Sequence, residues 1–247
     1  MRRLLLALSL SSAMFLSSCD TLKQIASAIG PSEYEMAAGL REALTQGLFK
    51  GFDAFANPNE GNPLLRFALP GDAAKIEKTL KDLGLTSLVN QVTSKFTNAM
   101  SSAVTSAKPI FLDAVKNMSL RDVAGILITD NTRAATDYFK GAMYQNLMTA
   151  FRPIVDSTAN LNGANKEWSN LVGIYNKIPF INQPLEASLT DFIAARAIDG
   201  MFSMVAKEEE DIRTKYEFRK TDLMKKVFGY ADEQLKKRKE QQSSSGS

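Results

Sequence analysis

The longest helical pattern in the chain runs from Thr86 to Met118, and it constrains the fold more than any other stretch. Apolar side chains recur there every three or four residues and keep to one helical face: Leu88, Val92, Phe96, Met100, Ala103, Ala107, Phe111, Ala114 and Met118. This spacing is typical of an amphipathic helix, and no alternating apolar and polar segment of useful length indicates a strand. We therefore predict an all-α fold, an irregular bundle of about seven or eight helices.

Prolines interrupt two of the long helices that the pattern predicts. Pro109 lies within the run 86–118, and Pro153 lies within a second long helix expected at about residues 132–159. Proline lacks a backbone donor and its ring clashes with the preceding turn. We therefore expect two proline-interrupted long helices, the first kinked or broken near residues 106–108.

Helix-start signals divide the remaining chain. Ser32 with Glu35 forms a capping box, and the helix that it opens, 33–56, carries Gly47 and Gly51 one turn apart, which favours close helix packing over a hinge. Further helices are expected at 73–83, 119–127, 166–178 and 221–238. Another helix is expected to begin with a capping box at Ser188-Leu189-Thr190-Asp191. Residues 64–69 are expected to form a short strand or an extended lid.

The amino terminus has the form of an export signal. Met1-Arg2-Arg3 is a positive start, an apolar run follows, and Leu16-Ser17-Ser18-Cys19 resembles the aliphatic-small-small-cysteine signal of bacterial lipoproteins. That resemblance implies cleavage before Cys19 and acylation of Cys19. The alternatives are a plain secretory signal and an uncleaved membrane helix, but the apolar run 4–16 is shorter than the roughly 20 residues that span a bilayer.

The export signal divides the chain into four parts. Residues 1–18 are the signal peptide, 19–32 a tether, 33–229 a single helical domain, and 230–247 a basic helical extension with a disordered tail from Ser243. We expect the protein in the bacterial cell envelope, anchored by lipid. Asp20 resembles an inner-membrane retention signal of enteric bacteria, but that rule is not general, so the choice between inner and outer membrane stays open.

The chain has no histidine and a single cysteine. Histidine-dependent nucleophilic triads, zinc sites with nitrogen and sulfur ligands, and internal disulfides are therefore excluded, and we expect no cofactor. Cleavage of the signal would leave 28 basic residues against 27 acidic ones, so net charge does not favour nucleic acid as a partner. Carboxylate, lysine, tyrosine or hydroxyl chemistry remains, or no chemistry.

Three clusters have both a functional and a structural interpretation. The acidic run Glu208-Glu209-Glu210-Asp211 offers oxygen ligands for a cation, but consecutive helical residues diverge, so a solvated helix end is favoured. The basic residues of the last helix suit anionic headgroups, but acidic neighbours favour a solvated helix: Lys225, Lys226, Lys236, Lys237, Arg238 and Lys239. Methionine and aromatic residues line an apolar cavity or, as we favour, fill the core: Met100, Met118, Met143, Met148, Met201, Met204, Phe96, Phe111, Phe139 and Phe202.

A carboxylate-dependent enzyme would need two acids in one pocket. The candidates are Asp113, Asp122, Asp137, Asp191 and Asp199. Nothing in the sequence brings two of them together, and each has an ordinary capping or surface explanation. We therefore assign no catalytic, cofactor-binding or metal-binding residue, and Cys19, as the site of lipid attachment, is the one site residue.

Several segments carry a family resemblance when taken in order. They are Gly39-Leu40-Arg41-Glu42-Ala43-Leu44, Ala107-Lys108-Pro109-Ile110-Phe111 with Met118-Ser119-Leu120-Arg121-Asp122, Ala134-Ala135-Thr136-Asp137-Tyr138-Phe139, Phe151-Arg152-Pro153-Ile154-Val155, and Thr221-Asp222-Leu223-Met224-Lys225-Lys226-Val227-Phe228-Gly229. Together they resemble a bacterial family catalogued as domain of unknown function 4197, over roughly residues 33–229. The resemblance implies a helical, exported and often lipid-anchored domain, and it carries over no catalytic residue.

These observations favour a non-enzymatic, lipid-anchored envelope protein that acts as an interaction or accessory module. A periplasmic carrier of a hydrophobic ligand or lipid is the alternative, and a carboxylate-dependent hydrolase is the third. The expected partners are the membrane, through acylated Cys19, and a protein or a hydrophobic ligand. A packed core favours the module, an apolar cavity with a mouth favours the carrier, and a cleft with converging acids favours the hydrolase.

Overall fold

A computed structural model of the chain describes residues 30–58, 63–71, 73–119, 121–179, 184–186 and 188–245. Within these ranges the chain forms nine α-helices and two short 3₁₀ helices but no strand, which confirms the predicted all-α class. The helices are α1 (Glu33–Ala56), α2 (Ala73–Asp82), α3 (Thr86–Ser106), α4 (Lys108–Asn117), α5 (Val123–Leu127), α6 (Ala134–Leu161), α7 (Ala164–Tyr175), α8 (Thr190–Thr214) and α9 (Asp222–Ser245), and the 3₁₀ helices are Pro63–Leu65 and Tyr216–Phe218.

The two internal prolines have different effects on their helices. Pro109 lies in the first turn of α4, where its missing N–H leaves no helical bond unmade, and the predicted run is broken at Ala107. The run expected over residues 86–118 therefore forms two helices instead of one, which raises the number of described helices from the expected seven or eight to nine. Pro153 lies inside α6, which continues to Leu161 because the flanking side chains of Phe151 and Val155 are buried in the core.

The central helix α1 packs against α8, α9, α3 and α4. Its predicted apolar face is buried: Leu40, Leu44, Leu48, Phe52 and Phe55. The predicted capping box is confirmed, since Oγ of Ser32 accepts the Glu35 N–H at 3.2 Å and the Glu35 carboxylate accepts the Ser32 N–H at 2.9 Å. Sequence pattern and cap therefore fix both the start of α1 and its buried side.

Glycines allow α1 and α8 to approach each other closely. A Cβ added at Gly47 would lie 2.9 Å from Cα of Val205, and one added at Gly51 would lie 2.8 Å from the Met201 sulfur. On the other helix, a Cβ at Gly200 would lie 2.8 Å from the Phe55 ring. Close packing, the favoured interpretation of Gly47 and Gly51, is confirmed.

A lid segment, residues 63–69, begins with the 3₁₀ helix Pro63–Leu65 and covers one side of the core. Its buried side chains are Leu65, Phe67 and Leu69. Phe67 stacks on Phe96 with ring centroids 4.8 Å apart. Arg196 of α8 holds the backbone in place, because Nε donates to the Arg66 carbonyl at 2.7 Å and Nη2 donates to the Pro63 carbonyl at 2.6 Å. The strand expected as one form of residues 64–69 is not formed; the segment covers the core as a lid, but it begins as a 3₁₀ helix instead of being extended throughout.

The start of α5 differs from the prediction. Asp122, in the left-handed region at φ 50°, is the N-cap, and its carboxylate accepts the Gly125 N–H at 3.2 Å. The helix therefore begins at Val123, four residues later than expected. Ser119 lies before this cap, and its backbone carbonyl accepts a hydrogen bond from the Tyr138 hydroxyl at 2.8 Å.

The capping box expected at the start of α8 is not formed. The helix begins at Thr190, with Leu189 in the N-cap position and no side-chain cap. Asp191 instead forms a two-pronged ion pair with Arg152 of α6. A long-range arginine thus takes the carboxylate that the local pattern assigned to the helix start.

The methionine and aromatic residues belong to the core, as favoured. Eight of the ten are buried and Met143 and Met204 are partly buried against the same cluster. Aromatic rings pack edge to face between helices, as Phe139 of α6 does with Phe202 of α8 at 5.2 Å. None of the described helices is both long enough and apolar enough to cross a bilayer.

The last helix is longer than expected. α9 continues through Ser245 instead of ending near Arg238, so residues 243–245 are helical where a disordered tail was expected. Hydroxyl groups support this turn, since Ser243 Oγ donates to the Glu240 carbonyl at 2.8 Å. The boundary expected at Gly229 falls inside α9.

Candidate functional site

The acidic run on α8 is not a solvated helix end, and that interpretation was wrong. Glu208, Glu209 and Asp211 are buried. Glu209, 1% exposed, accepts the backbone N–H groups of Ala135 at 3.0 Å and Thr136 at 2.7 Å. These donors are the free N–H groups at the start of α6, so Glu209 caps that helix across the bundle.

Two buried arginines serve the carboxyl ends of helices. Arg213 forms an ion pair with Glu209 at 2.8 Å and donates to the carbonyls of Ile126 and Leu127 at the end of α5. Arg219 donates from Nε to the Ile212 carbonyl near the end of α8 and pairs with Asp232 at 2.8 Å. Cations at helix carboxyl ends are stabilising, so these groups hold the bundle together.

Asp211 has lysine partners on its own helix. Its carboxylate accepts hydrogen bonds from Lys215 at 2.8 Å and from Lys207 at 3.2 Å. The Lys215 hydrogen bond is the main reason that the pKa of Asp211 lies below its usual value. In the ranges that the structure describes, no group of three or more acidic, histidine or cysteine residues could hold a metal ion.

The five aspartates considered for catalysis lie apart. Asp199 pairs with Lys140 at 2.7 Å, and Asp137 lies 3.6 Å from Arg133. Asp191 pairs with Arg152, Asp122 caps α5, and Asp113 is exposed on α4. Among the described residues, no hydrogen bond or ion pair connects any two of the five.

The basic cluster of α9 is largely paired with acidic groups. Lys226 lies 2.6 Å from Glu35 of α1, and Lys239 lies 2.7 Å from Asp130. Lys225 pairs with Asp222 within α9. These contacts favour the structural interpretation over a headgroup-binding surface, because four of the six cations, Lys236 with Glu240 included, lie within 4.0 Å of a carboxylate.

A groove of about 910 Å³ opens where α1, α4 and the stretch from the end of α8 to the start of α9 meet. Its bottom is apolar, since Val115 and Met224 are buried there. Leu112 and Phe218 are partly buried in its lining, and Phe49 lines it with 44% of its surface exposed. Its volume lies in the range of small-molecule sites, roughly 300–1,000 Å³.

One face of α1 forms a wall of this groove. Arg41, Thr45, Phe49 and Asp53 recur every four residues and line it together. The opposite face of α1 carries core residues such as Leu44. Phe49 is a large apolar residue on an otherwise polar helix face. An apolar residue at such a position can indicate a binding surface, and this signal was not used in the prediction from the sequence.

The groove carries four cations without acidic partners. Lys50, Lys116 and Lys220 are exposed in its lining, and Arg41 is partly buried there. Among the described residues, no carboxylate lies within ion-pair distance of any of the four. Arg41 donates from Nη2 to the Met118 carbonyl at 2.8 Å, but its buried Nε has no partner in the described ranges.

Two of the three carboxylates in the groove accept hydrogen bonds from neutral groups. Glu42 accepts from the Thr221 hydroxyl, and Glu208 accepts from the side-chain amide of Gln46 at 2.7 Å. The third, Asp53, is exposed. These contacts hold two acids at the wall, and the four basic side chains of the lining exceed its three carboxylates by one charge.

A further cation lies beside the apolar part of the groove. Nζ of Lys108 lies 4.9 Å from the ring centroid of Phe49 and 5.2 Å from that of Phe52. Such cation–π contacts contribute roughly 0.5–1 kcal/mol at exposed sites. One face of the Phe49 ring is therefore held by Lys108 while the side chain remains accessible.

The site residue predicted from the sequence, Cys19, lies outside the described residues. The groove residues were not predicted as a site, because helices distant in the sequence bring them together. Helical spacing did indicate the wall on α1, but not the contributions of α4 and α9. A single sequence does not show which exposed faces of different helices become neighbours.

The predicted family resemblance is confirmed. The model of the family described as "Protein of unknown function (DUF4197)" matches residues 30–229, against the expected 33–229. Comparison with curated proteins and with solved structures gives no significant match. The match covers well over half of the chain, and this protein therefore belongs to the DUF4197 family.

Proposed function

We propose that this protein is a non-enzymatic binding module, held on a membrane of the bacterial cell envelope by acyl chains on Cys19, and that it binds through the groove on α1. The observation that carries the proposal is the groove itself, with its apolar bottom and four basic side chains that form no ion pair with the described residues. Exposed apolar surface rimmed by polar groups is typical of an interaction site.

The lipoprotein-type signal supports the anchor. Cys19 is the one cysteine of the chain and follows Leu16-Ser17-Ser18 directly. A single acyl chain binds a membrane only marginally, whereas several chains give stable anchoring. Labelling cells with an alkyne fatty acid should therefore mark the wild-type protein and place it in the membrane fraction, while Cys19→Ser should be unlabelled. Equal labelling of both proteins would contradict the anchor.

Two of the segments that carry the family resemblance contribute side chains to the groove. Segment 39–44 supplies Arg41 and Glu42, and segment 221–229 supplies Thr221 and Met224. The aspartates considered for catalysis instead form caps and isolated ion pairs. A binding role accounts for the exposed Phe49 and for the basic side chains of the groove, and it requires no catalytic residue.

The groove is tested by photocrosslinking in cells. With p-benzoylphenylalanine in place of Phe49 in the lipidated chain, irradiation should give a discrete adduct. Leu161 at the end of α6, 83% exposed, is the matched control position. The proposal fails if position 49 gives no adduct, or if both positions give the same products.

A hydrophobic-ligand carrier is the second candidate. The size and apolar bottom of the groove favour it, because small-molecule sites are mostly apolar with a few polar groups. The packed core favours the binding module over an internal lipid cavity, since the methionine and aromatic residues fill it. In the crosslinking experiment, a lipid adduct would favour the carrier and a protein adduct an interaction module.

A further inference from the structure

We infer that the groove binds a single-chain amphiphile with an anionic headgroup, its apolar chain on the bottom of the groove and its headgroup at the cationic rim. The inference deepens the proposed function and rests on it, since it names the occupant of the same site.

The bottom of the groove suits an acyl chain. Val115 and Met224 are buried, while Leu112 and Phe218 are partly buried beside them. Burying the methylene groups of a chain against such a surface removes apolar area from water and therefore favours binding. Phe49 extends this apolar surface outward, and its exposed position in the free protein is explained if a chain covers it.

The rim suits an anion. Lys50 on α1 and Lys116 on α4 are both exposed in the lining, and neither has an acidic partner within ion-pair distance among the described residues. Arg41 also lines the groove, and a guanidinium offers five donors in a geometry that matches carboxylate and phosphate. The lining carries four basic side chains against three carboxylates, Glu42, Asp53 and Glu208, so its net charge is +1 (4 − 3).

The anchor would keep the groove near a source of such molecules. From Cys19 to Gly30 the chain spans at most about 40 Å when fully extended. Arg41 lies about 12 Å along α1 from Glu33, at a rise of 1.5 Å per residue. A domain on so short a tether stays beside the bilayer, which favours a lipid-like occupant over an acidic segment of a distant protein.

The test is a calorimetric titration of the mature chain, residues 19–247 with Cys19→Ser. The probes are dodecyl phosphate below its micelle concentration, dodecyltrimethylammonium with the same chain, and inorganic phosphate without one. We expect saturable one-to-one binding of dodecyl phosphate, at least tenfold weaker binding of the cationic amphiphile, and none of inorganic phosphate.

Matched variants locate the binding. Phe49→Asp places a charge on the apolar surface, and the pair Lys50→Glu with Lys116→Glu reverses the rim. Each should weaken dodecyl phosphate binding at least tenfold. The control pair, Lys78→Glu with Lys166→Glu, changes exposed lysines of α2 and α7 outside the groove and should leave binding unchanged. Circular dichroism checks that all variants retain their helices.

Two results would overturn the inference. One is the absence of saturable binding of dodecyl phosphate. The other is binding without the expected selectivity, in which neither groove variant weakens the binding of dodecyl phosphate or the cationic amphiphile binds equally well. Either result would leave the proposed function standing if Phe49 crosslinked to a protein in cells, so the two failures are distinguishable.

Discussion

At the residue scale, three charged side chains with little exposed surface serve the ends of helices. Glu209 caps the start of α6, while Arg213 and Arg219 serve the carboxyl ends of α5 and α8. Each of these side chains loses its contact with water on folding and forms hydrogen bonds with backbone groups at a helix end instead. Those backbone groups have no partner within their own helix. Removing one member leaves the other buried without compensation, so these positions contribute strongly to stability.

Glu209→Gln should lower the free energy of unfolding by about 3–5 kcal/mol, because it leaves Arg213 buried without its counter-charge. Glu210→Gln, one residue away and half exposed, should change it by less than about 0.5 kcal/mol. Urea unfolding followed by circular dichroism measures both. Equal effects of the two substitutions would contradict the assigned role of Glu209.

Asp211 should contribute to the acid sensitivity of the fold. Hydrogen bonds from Lys215 and Lys207 lower its folded-state pKa, so its stabilisation is present above the unfolded-state value, about 4, and is lost as the pH falls through the folded-state pKa. The stability difference between wild type and Asp211→Asn should therefore be largest near neutral pH and disappear in acid. Exposed Glu233→Gln should show no such profile. A difference that does not change with pH would exclude this linkage.

At the element scale, the contact between α1 and α8 organises the bundle. Glycines on both helices let the backbones approach, and the apolar faces of the two helices are buried between the other elements. α1 thereby presents its polar face to the groove. A change at this contact should affect both stability and the shape of the groove wall.

Gly47→Ala should destabilise the protein by about 1–3 kcal/mol, because the added Cβ would lie 2.9 Å from a backbone atom, Cα of Val205. Gly141→Ala on α6 meets nothing within 4 Å and should stabilise by about 0.5–1 kcal/mol through helix propensity. Thermal unfolding of both variants measures the contrast. A stabilising Gly47→Ala would show that the helices do not approach closely.

Arg196→Ala should release the lid segment, residues 63–69. The substitution removes the hydrogen bonds to the carbonyls of Pro63 and Arg66, so cleavage by trypsin after Arg66 should become at least several-fold faster. Arg121→Ala, exposed and outside the lid, serves as the control. If the cleavage rate at Arg66 did not change, other contacts would have to hold the lid.

At the scale of the whole molecule, helical periodicity was sufficient to predict the class of fold, most helix positions and the core face of α1. It did not predict the roles of Glu209 or Asp191, because their partners lie on other helices and far away in the sequence. The groove was missed for the same reason. Local spacing describes faces of single helices, whereas the site depends on how those faces meet.

The central claim is that the groove is occupied in the cell, and native mass spectrometry tests it most directly. The unlipidated mature chain, purified from a bacterial periplasm, should carry the extra mass of an anionic amphiphile. Phe49→Asp should lose that mass, and the control pair Lys78→Glu with Lys166→Glu should keep it. A wild-type chain with no extra mass, or an adduct that persists in Phe49→Asp, would contradict the account.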